Sequence, residues 1–136
     1  YLVLNAVMGL ILSLVFQLAH VVENTEFEHV PLDATKHIES AWAEHQIRTT
    51  ANFAMGNKVI SWFVGGLNYQ VEHHLFPRVS HIHYPEISKI VMEKCREFNL
   101  PYNKYDTMSG AIASHFRVMK QLGKKPAMSI HQVQAA

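Results

Sequence analysis

Residues 1–19, YLVLNAVMGLILSLVFQLA, contain no charged side chain. As a helix rising about 1.5 Å per residue they measure roughly 30 Å, the thickness of a bilayer's hydrocarbon core. The pattern predicts one transmembrane helix over 1–20. A cleaved leader would show a positive start and a small-residue cleavage site, and neither precedes the acidic stretch after His20. Asn5, Ser13 and Gln17 interrupt the run, which suits a helix with one face against other helices.

Past His20 the chain is polar and acidic as far as Asp33, and Val30-Pro31 marks a loop or boundary. Residues 38–54 predict a helix along a membrane surface, with Ile38, Trp42, His45 and Thr49 at helical spacing. Val59 to Leu67 is apolar but too short to span, and Gly65-Gly66 suggests a break or close packing. Tyr84 to Phe98 predicts an amphipathic helix. Pro85 sits in its first turn, Ile87, Ile90, Val91 and Phe98 share one face, Lys89 and Glu93 form a pair, and Asn99 and Pro101 end it. A second such helix runs from Asp106, as N-cap, to Leu122, with Ile112, Phe116 and Met119 inward and Gly123 as stop. The expected fold class is therefore all-α. A transmembrane helix (1–20) leads into an interfacial region (21–83), a cytoplasmic helical cap (84–123) and a tail (124–136).

Composition narrows the class. Hydrophobic residues make up 49% with only 6 Gly and 5 Pro, which excludes a disordered or collagen-like chain, and Cys95, the single cysteine, excludes a disulfide scaffold. The start at Tyr1 rather than methionine leads us to expect a piece of a longer protein. A net charge of +1 gives no electrostatic case for nucleic acid, but it hides a division. Residues 1–50 carry six acids (Glu23, Glu26, Glu28, Asp33, Glu39, Glu44) against two bases, whereas residues 78–136 carry nine bases against four acids.

The chain has 10 histidines. His29, His37, His45, His115 and His131 stand alone, and His20 closes the apolar helix; His73, His74, His81 and His83 cluster within QVEHHLFPRVSHIHYP. In a helix Gln70, His73 and His74 obey i,i+3 and i,i+4 spacing and project to one side. The adjacent pair differ by about 100° around the axis, which suits two ions side by side better than one. Imidazoles suit iron, zinc, copper or nickel, and ligation alone does not choose among them. Ligating groups near membrane depth are functional candidates, and His20 is a second one by position. Glu26-Phe-Glu-His29 matches the Glu-x-x-His ligand pattern of di-iron bundles, but that pattern needs two copies, so a solvated acidic loop is the reading here. Cys95 reads as a small core residue. There is no Gly-rich phosphate loop, nucleophile elbow or CxxC.

The string Asn68-Tyr-Gln70-Val-Glu-His73-His74-Leu-Phe-Pro77 closely resembles the third histidine box, Q-x-x-H-H, of membrane-bound fatty acid desaturases of the acyl-lipid or acyl-CoA kind, the front-end group included. Trp42-Ala-Glu-His45-Gln46-Ile-Arg-Thr-Thr50 and Pro77-Arg-Val-Ser-His81-Ile-His83-Tyr-Pro85 are similar to that family too. The resemblance implies an O₂-dependent enzyme with two non-haem iron ions, leaving a cis double bond in an acyl chain. It implies His73 and His74 as catalytic iron ligands, Gln70 where many members place a histidine, and His20 as the isolated ligand from the last transmembrane helix. Some members have an Asn four residues before that histidine; here Phe16 occupies the position. Breaking an unactivated C–H bond requires redox chemistry that iron has and zinc lacks. Electrons must come from an external donor, a cytochrome b5-type protein or a ferredoxin, since no flavin or haem motif is present. The basic stretch from Arg78 to Lys125 is then expected on the cytoplasmic side, against anionic headgroups or an acidic electron carrier. The family's first two boxes lie outside these residues, so the isolated stretch is expected to be inactive and to bind iron weakly. A hydroxylase on the same scaffold, or a membrane haem-binding or anchor protein, are the alternatives.

Overall fold

The computed structural model describes residues 1–26 and 42–124. Its long elements are helical, and one short parallel strand pair is added to the all-α expectation. The first helix, α1, runs Leu2–His20 and is, among the described residues, the one helix long and apolar enough to cross a membrane. Its first two-thirds is exposed, while Val15, Leu18 and Ala19 are buried against segments from later in the chain.

Helix α2 covers Trp42–Arg48, shorter than the 38–54 expected; of that range, residues 38–41 lie outside the described residues. The reason for the early end is where the backbone donors go. Ala51 N donates to the Ala19 carbonyl (2.8 Å), Asn52 N to Asn103 (2.9 Å), Phe53 N to Asn68 (3.0 Å) and Ala54 N to Tyr105 (2.8 Å). These bonds make Asn52–Phe53 strand β1, paired in parallel with β2, Lys104–Tyr105. Phe53 is fully buried and packs with Val15, Leu18, Ala54 and Ala111, joining the end of α1 to the C-terminal helix.

Helix α3, Lys58–Phe63, is capped by the Asn57 side chain, which accepts from the Val59 and Ile60 amides. The expected break comes at Gly65 and Gly66, both at positive φ. Gly66 is the constrained one, because a Cβ there would overlap the His81 side chain. Helix α4 covers Gln70–Leu75 and carries the histidine pair. Helix α5, Tyr84–Glu97, has Pro85 in its first turn and ends at Asn99, which adopts positive φ. It buries Tyr84, Ser88, Val91 and Cys95, so Val91 points inward as expected while Ile90 and Phe98 are exposed. Lys89 pairs with Glu86 at 2.9 Å rather than with Glu93. A second core gathers Ile47, Val71, Val91 and Cys95 between α2, α4 and α5.

The last helix, α6, covers Met108–Leu122 and is capped by Thr107, one residue after the expected Asp106; its hydroxyl accepts from Gly110 N at 3.0 Å. Its buried stripe is Ala111, Ser114 and Val118, and Phe116 and Met119 face outward against expectation. The cause is that α6 meets the polar end of α1. His115 Nδ1 donates to the Val21 carbonyl at 2.8 Å, and the Ser114 hydroxyl accepts from Glu23 N at 3.0 Å. Small and polar side chains serve that junction better than large apolar ones. Cys95 is buried, and burial pushes its thiol pKa up, which suits a core residue.

Candidate metal centre

The site begins with the placement of α4. Asn68 donates to the Ser61 hydroxyl (3.0 Å) and the Ala54 carbonyl (3.3 Å), and the Tyr69 hydroxyl accepts from Gly56 N (2.9 Å). Asn52 Oδ1 then accepts from Val71 N at 2.9 Å, holding the first turn of α4. Inside that turn Glu72 is fully buried. Its carboxylate accepts from Asn52 Nδ2 (2.8 Å) and from the Tyr102 hydroxyl (2.7 Å), and Asn52 Nδ2 is also 2.7 Å from that hydroxyl. Desolvation raises the Glu72 pKa against the opposing pull of these two donors.

With α4 locked, Gln70, His73 and His74 lie beside the end of α1. The rings of His20 and His74 have centroids 5.0 Å apart, and those of His73 and His74 are 6.0 Å apart. Each ring has an oxygen near its Nδ1: the Thr49 carbonyl at 3.4 Å for His20, the Tyr84 hydroxyl at 3.3 Å for His73, and Gln46 Oε1 at 2.6 Å for His74. An oxygen that can only accept at Nδ1, as the Thr49 carbonyl does for His20 and the Gln46 amide oxygen for His74, leaves the lone pair on Nε2, the arrangement that outer partners impose on metal-binding imidazoles, whereas the Tyr84 hydroxyl can donate or accept and does not decide it for His73. Gln70 is 1% exposed; its Nε2 lies 3.3 Å from His74 Nε2, and its Oε1 is buried with no hydrogen-bond partner. A buried carbonyl-type oxygen without a partner is costly unless something cationic or donating meets it. Among the described residues no three His, Cys, Asp or Glu side chains surround a single ion-sized point. The donors here fit as part of a ligand set: three imidazoles, and one amide oxygen in want of a partner.

The other histidines separate from this group. His81 and His83 are exposed on the turn before α5, His81 against Gly66. His115 is spent on the Val21 carbonyl, and His29, His37 and His131 lie outside the described residues. Of the Glu26-x-x-His29 pattern, Glu26 pairs with Arg48 at 3.0 Å, an ion pair on the surface.

Residues 1–106 match the family described as fatty acid desaturase. The chain belongs to that family. Among curated desaturases it is 48% identical over 116 residues to the sn-1 linoleoyl-lipid 6-desaturase of Synechocystis sp., covering 85% of this chain and 32% of that protein. It is 46% identical over 119 residues to the sn-1 linoleoyl-lipid 6-desaturase of Arthrospira platensis (87% of this chain, 31% of that one), and 40% identical over 127 residues to the acyl-lipid (8-3)-desaturase of Physcomitrium patens (90% and 25%). The chain thus spans a quarter to a third of the length of these relatives. No solved structure matches it.

Several residues of this desaturase chain that shape the site have no distinguishing mark in the sequence. Gln46 and Thr49 lie in the family-like stretch ahead of the box but carry no role there, and Asn52 and Tyr102 carry no signal at all.

The pKa of His74 has a thermodynamic consequence. Desolvation, with added repulsion from His20 and His73, pushes it from the ordinary 6.5 down to about 4. The unfolded chain therefore binds this proton at a higher pH than the folded chain does. Metal-free protein is expected to lose stability as pH falls from about 6.5 towards 4, with no further loss from this group below that. Thermal unfolding across that range checks it, and the slope should flatten in His74→Gln.

Proposed function

We propose that this chain supplies part of the iron centre of an acyl-lipid desaturase, with His20, Gln70, His73 and His74 as ligands. The observation that carries the reading is the meeting of His20, from the end of α1, with His74 at 5.0 Å beside the unpartnered Gln70 oxygen. Two iron ions held there, completed by ligands from elsewhere in the enzyme, would supply the O₂-dependent redox chemistry that removing two hydrogens from an unactivated segment of an acyl chain demands. The chain's own part is to hold the imidazoles of His20 and His74 with the lone pair on Nε2, and to keep water from the inner side of the site through the buried run Gln70, Val71 and Glu72. The relatives' names carry the substrate class, an acyl chain esterified in a lipid.

In this reading α1 crosses the bilayer. Helix α3 lies at its interface, where Val59, Trp62 and Phe63 are 77%, 82% and 64% exposed. These residues border an apolar cleft of about 260 Å³ shared with Ile11, Leu14 and Val15 of α1. The described residues of the region 21–83 are interfacial. Residues 84–123, with the basic side chains of α5 and α6, form a cap on the cytoplasmic side where an external electron donor docks.

The test is lipid analysis of cells making the intact enzyme. Acyl chains lacking two hydrogens support desaturation. Chains gaining an oxygen atom would replace it with hydroxylation, and a Soret band in the purified enzyme would replace non-haem iron with haem.

A further inference from the structure

We propose that Gln46 is a positioning residue for the metal centre, the side chain that fixes His74 as an Nε2 ligand; the proposal rests on the iron reading above. A neutral imidazole has one N–H, and which nitrogen bears it decides which can bind a metal. The Gln46 amide oxygen lies 2.6 Å from His74 Nδ1 and can only accept, so the hydrogen is on Nδ1 and the lone pair on Nε2. On the far side of the ring the Gln70 amide nitrogen, which can only donate, is 3.3 Å from Nε2 and so also requires the lone pair there, a long contact that a bound metal would displace. Two amides from different helices thus impose the same tautomer.

The corresponding partners of the other two rings act differently. Thr49 offers His20 a backbone carbonyl, which any residue would provide. The Tyr84 hydroxyl near His73 can donate or accept and imposes no tautomer. Gln46 is therefore the one side chain of the three whose chemistry decides a ligand's protonation pattern. It does so from α2, across the contact that packs Ile47 against Val71.

The experiment compares iron content and Mössbauer spectra of the intact enzyme with those of Gln46→Leu, Gln46→Glu and His74→Ala. Gln46→Leu removes the acceptor at similar volume and is expected to weaken iron retention by roughly ten- to hundredfold. Gln46→Glu restores an acceptor and is expected to regain iron, with an altered quadrupole splitting because a carboxylate polarises the imidazole more strongly. A residue that merely filled space would keep iron in Gln46→Leu at least as well as in Gln46→Glu, so rescue of iron content by Glu together with the altered splitting decides the matter. Wild-type iron content and spectrum in Gln46→Leu, or a wild-type spectrum in Gln46→Glu, would overturn the proposal. If His74→Ala loses iron while Gln46→Leu keeps it, the positioning role alone fails. An enzyme that purifies without iron and stays inactive when iron is supplied removes both.

Discussion

His73→Ala and His74→Ala in the intact enzyme are each expected to reduce double-bond formation to background while leaving insertion and folding in place. Both side chains are half-buried on a short helix whose packing rests on other residues, chiefly Val71 and Glu72, so truncating the rings takes little from the core. What is lost is a metal donor in the proposed site, and the loss should exceed the ten- to hundredfold typical of removing an outer partner. His81→Ala serves as the control, because His81 is exposed and outside the group. Product analysis beside a protease-protection test of insertion separates the two effects. Retained turnover in either variant would take that residue off the ligand set.

The second large effect is on stability. Asn52→Ala removes three hydrogen bonds of a fully buried side chain at once: to Glu72, to Tyr102 and from Val71. It leaves a carboxylate with no exposure dependent on the Tyr102 hydroxyl alone. Unsatisfied buried groups cost about 1–3 kcal/mol each, more when charged, so a loss of about 3–5 kcal/mol is expected. Tyr102→Phe, which removes one donor, should cost about 2 kcal/mol. Thermal unfolding in detergent measures both. An Asn52→Ala protein as stable as wild type would mean that the network does not hold α4.

The parts of this architecture legible from sequence were those written in local spacing. The uncharged run made α1, Pro85 began α5, Gly65-Gly66 ended α3, and the Q-x-x-H-H spacing put Gln70 and His74 one turn apart and within 3.3 Å. Helix faces were read less well. Amphipathic spacing sent Ile90, Phe98, Phe116 and Met119 inward, but α5 buries Tyr84, Ser88, Val91 and Cys95, with Val91 and Cys95 in the core shared with Ile47 and Val71, and α6 buries Ala111, Ser114 and Val118 where it meets the end of α1. The 38–54 helix was overextended for a related reason: residues 51–54 find their backbone partners in segments far along the chain, which periodicity does not record. The site shows the same limit. Spacing grouped the residues of the box, whereas the approach of His20, and the parts played by Gln46, Asn52 and Tyr102, depend on contacts between distant segments.

The parallel pairing of β1 with β2, and the Asn52–Glu72–Tyr102 bonds beside it, also set a timetable for synthesis. The frame that fixes the histidine helix is completed only by residues 102–105, so a growing chain that has just finished the Q-x-x-H-H box still lacks some of the partners that orient it. The loop closures are long and come late, which slows this step relative to the forming of α1. Until Tyr105 is made, Asn52 can hold α4 only through Val71 and Glu72, and the Tyr102 hydroxyl bond and the β1–β2 pairing that complete the frame are added last.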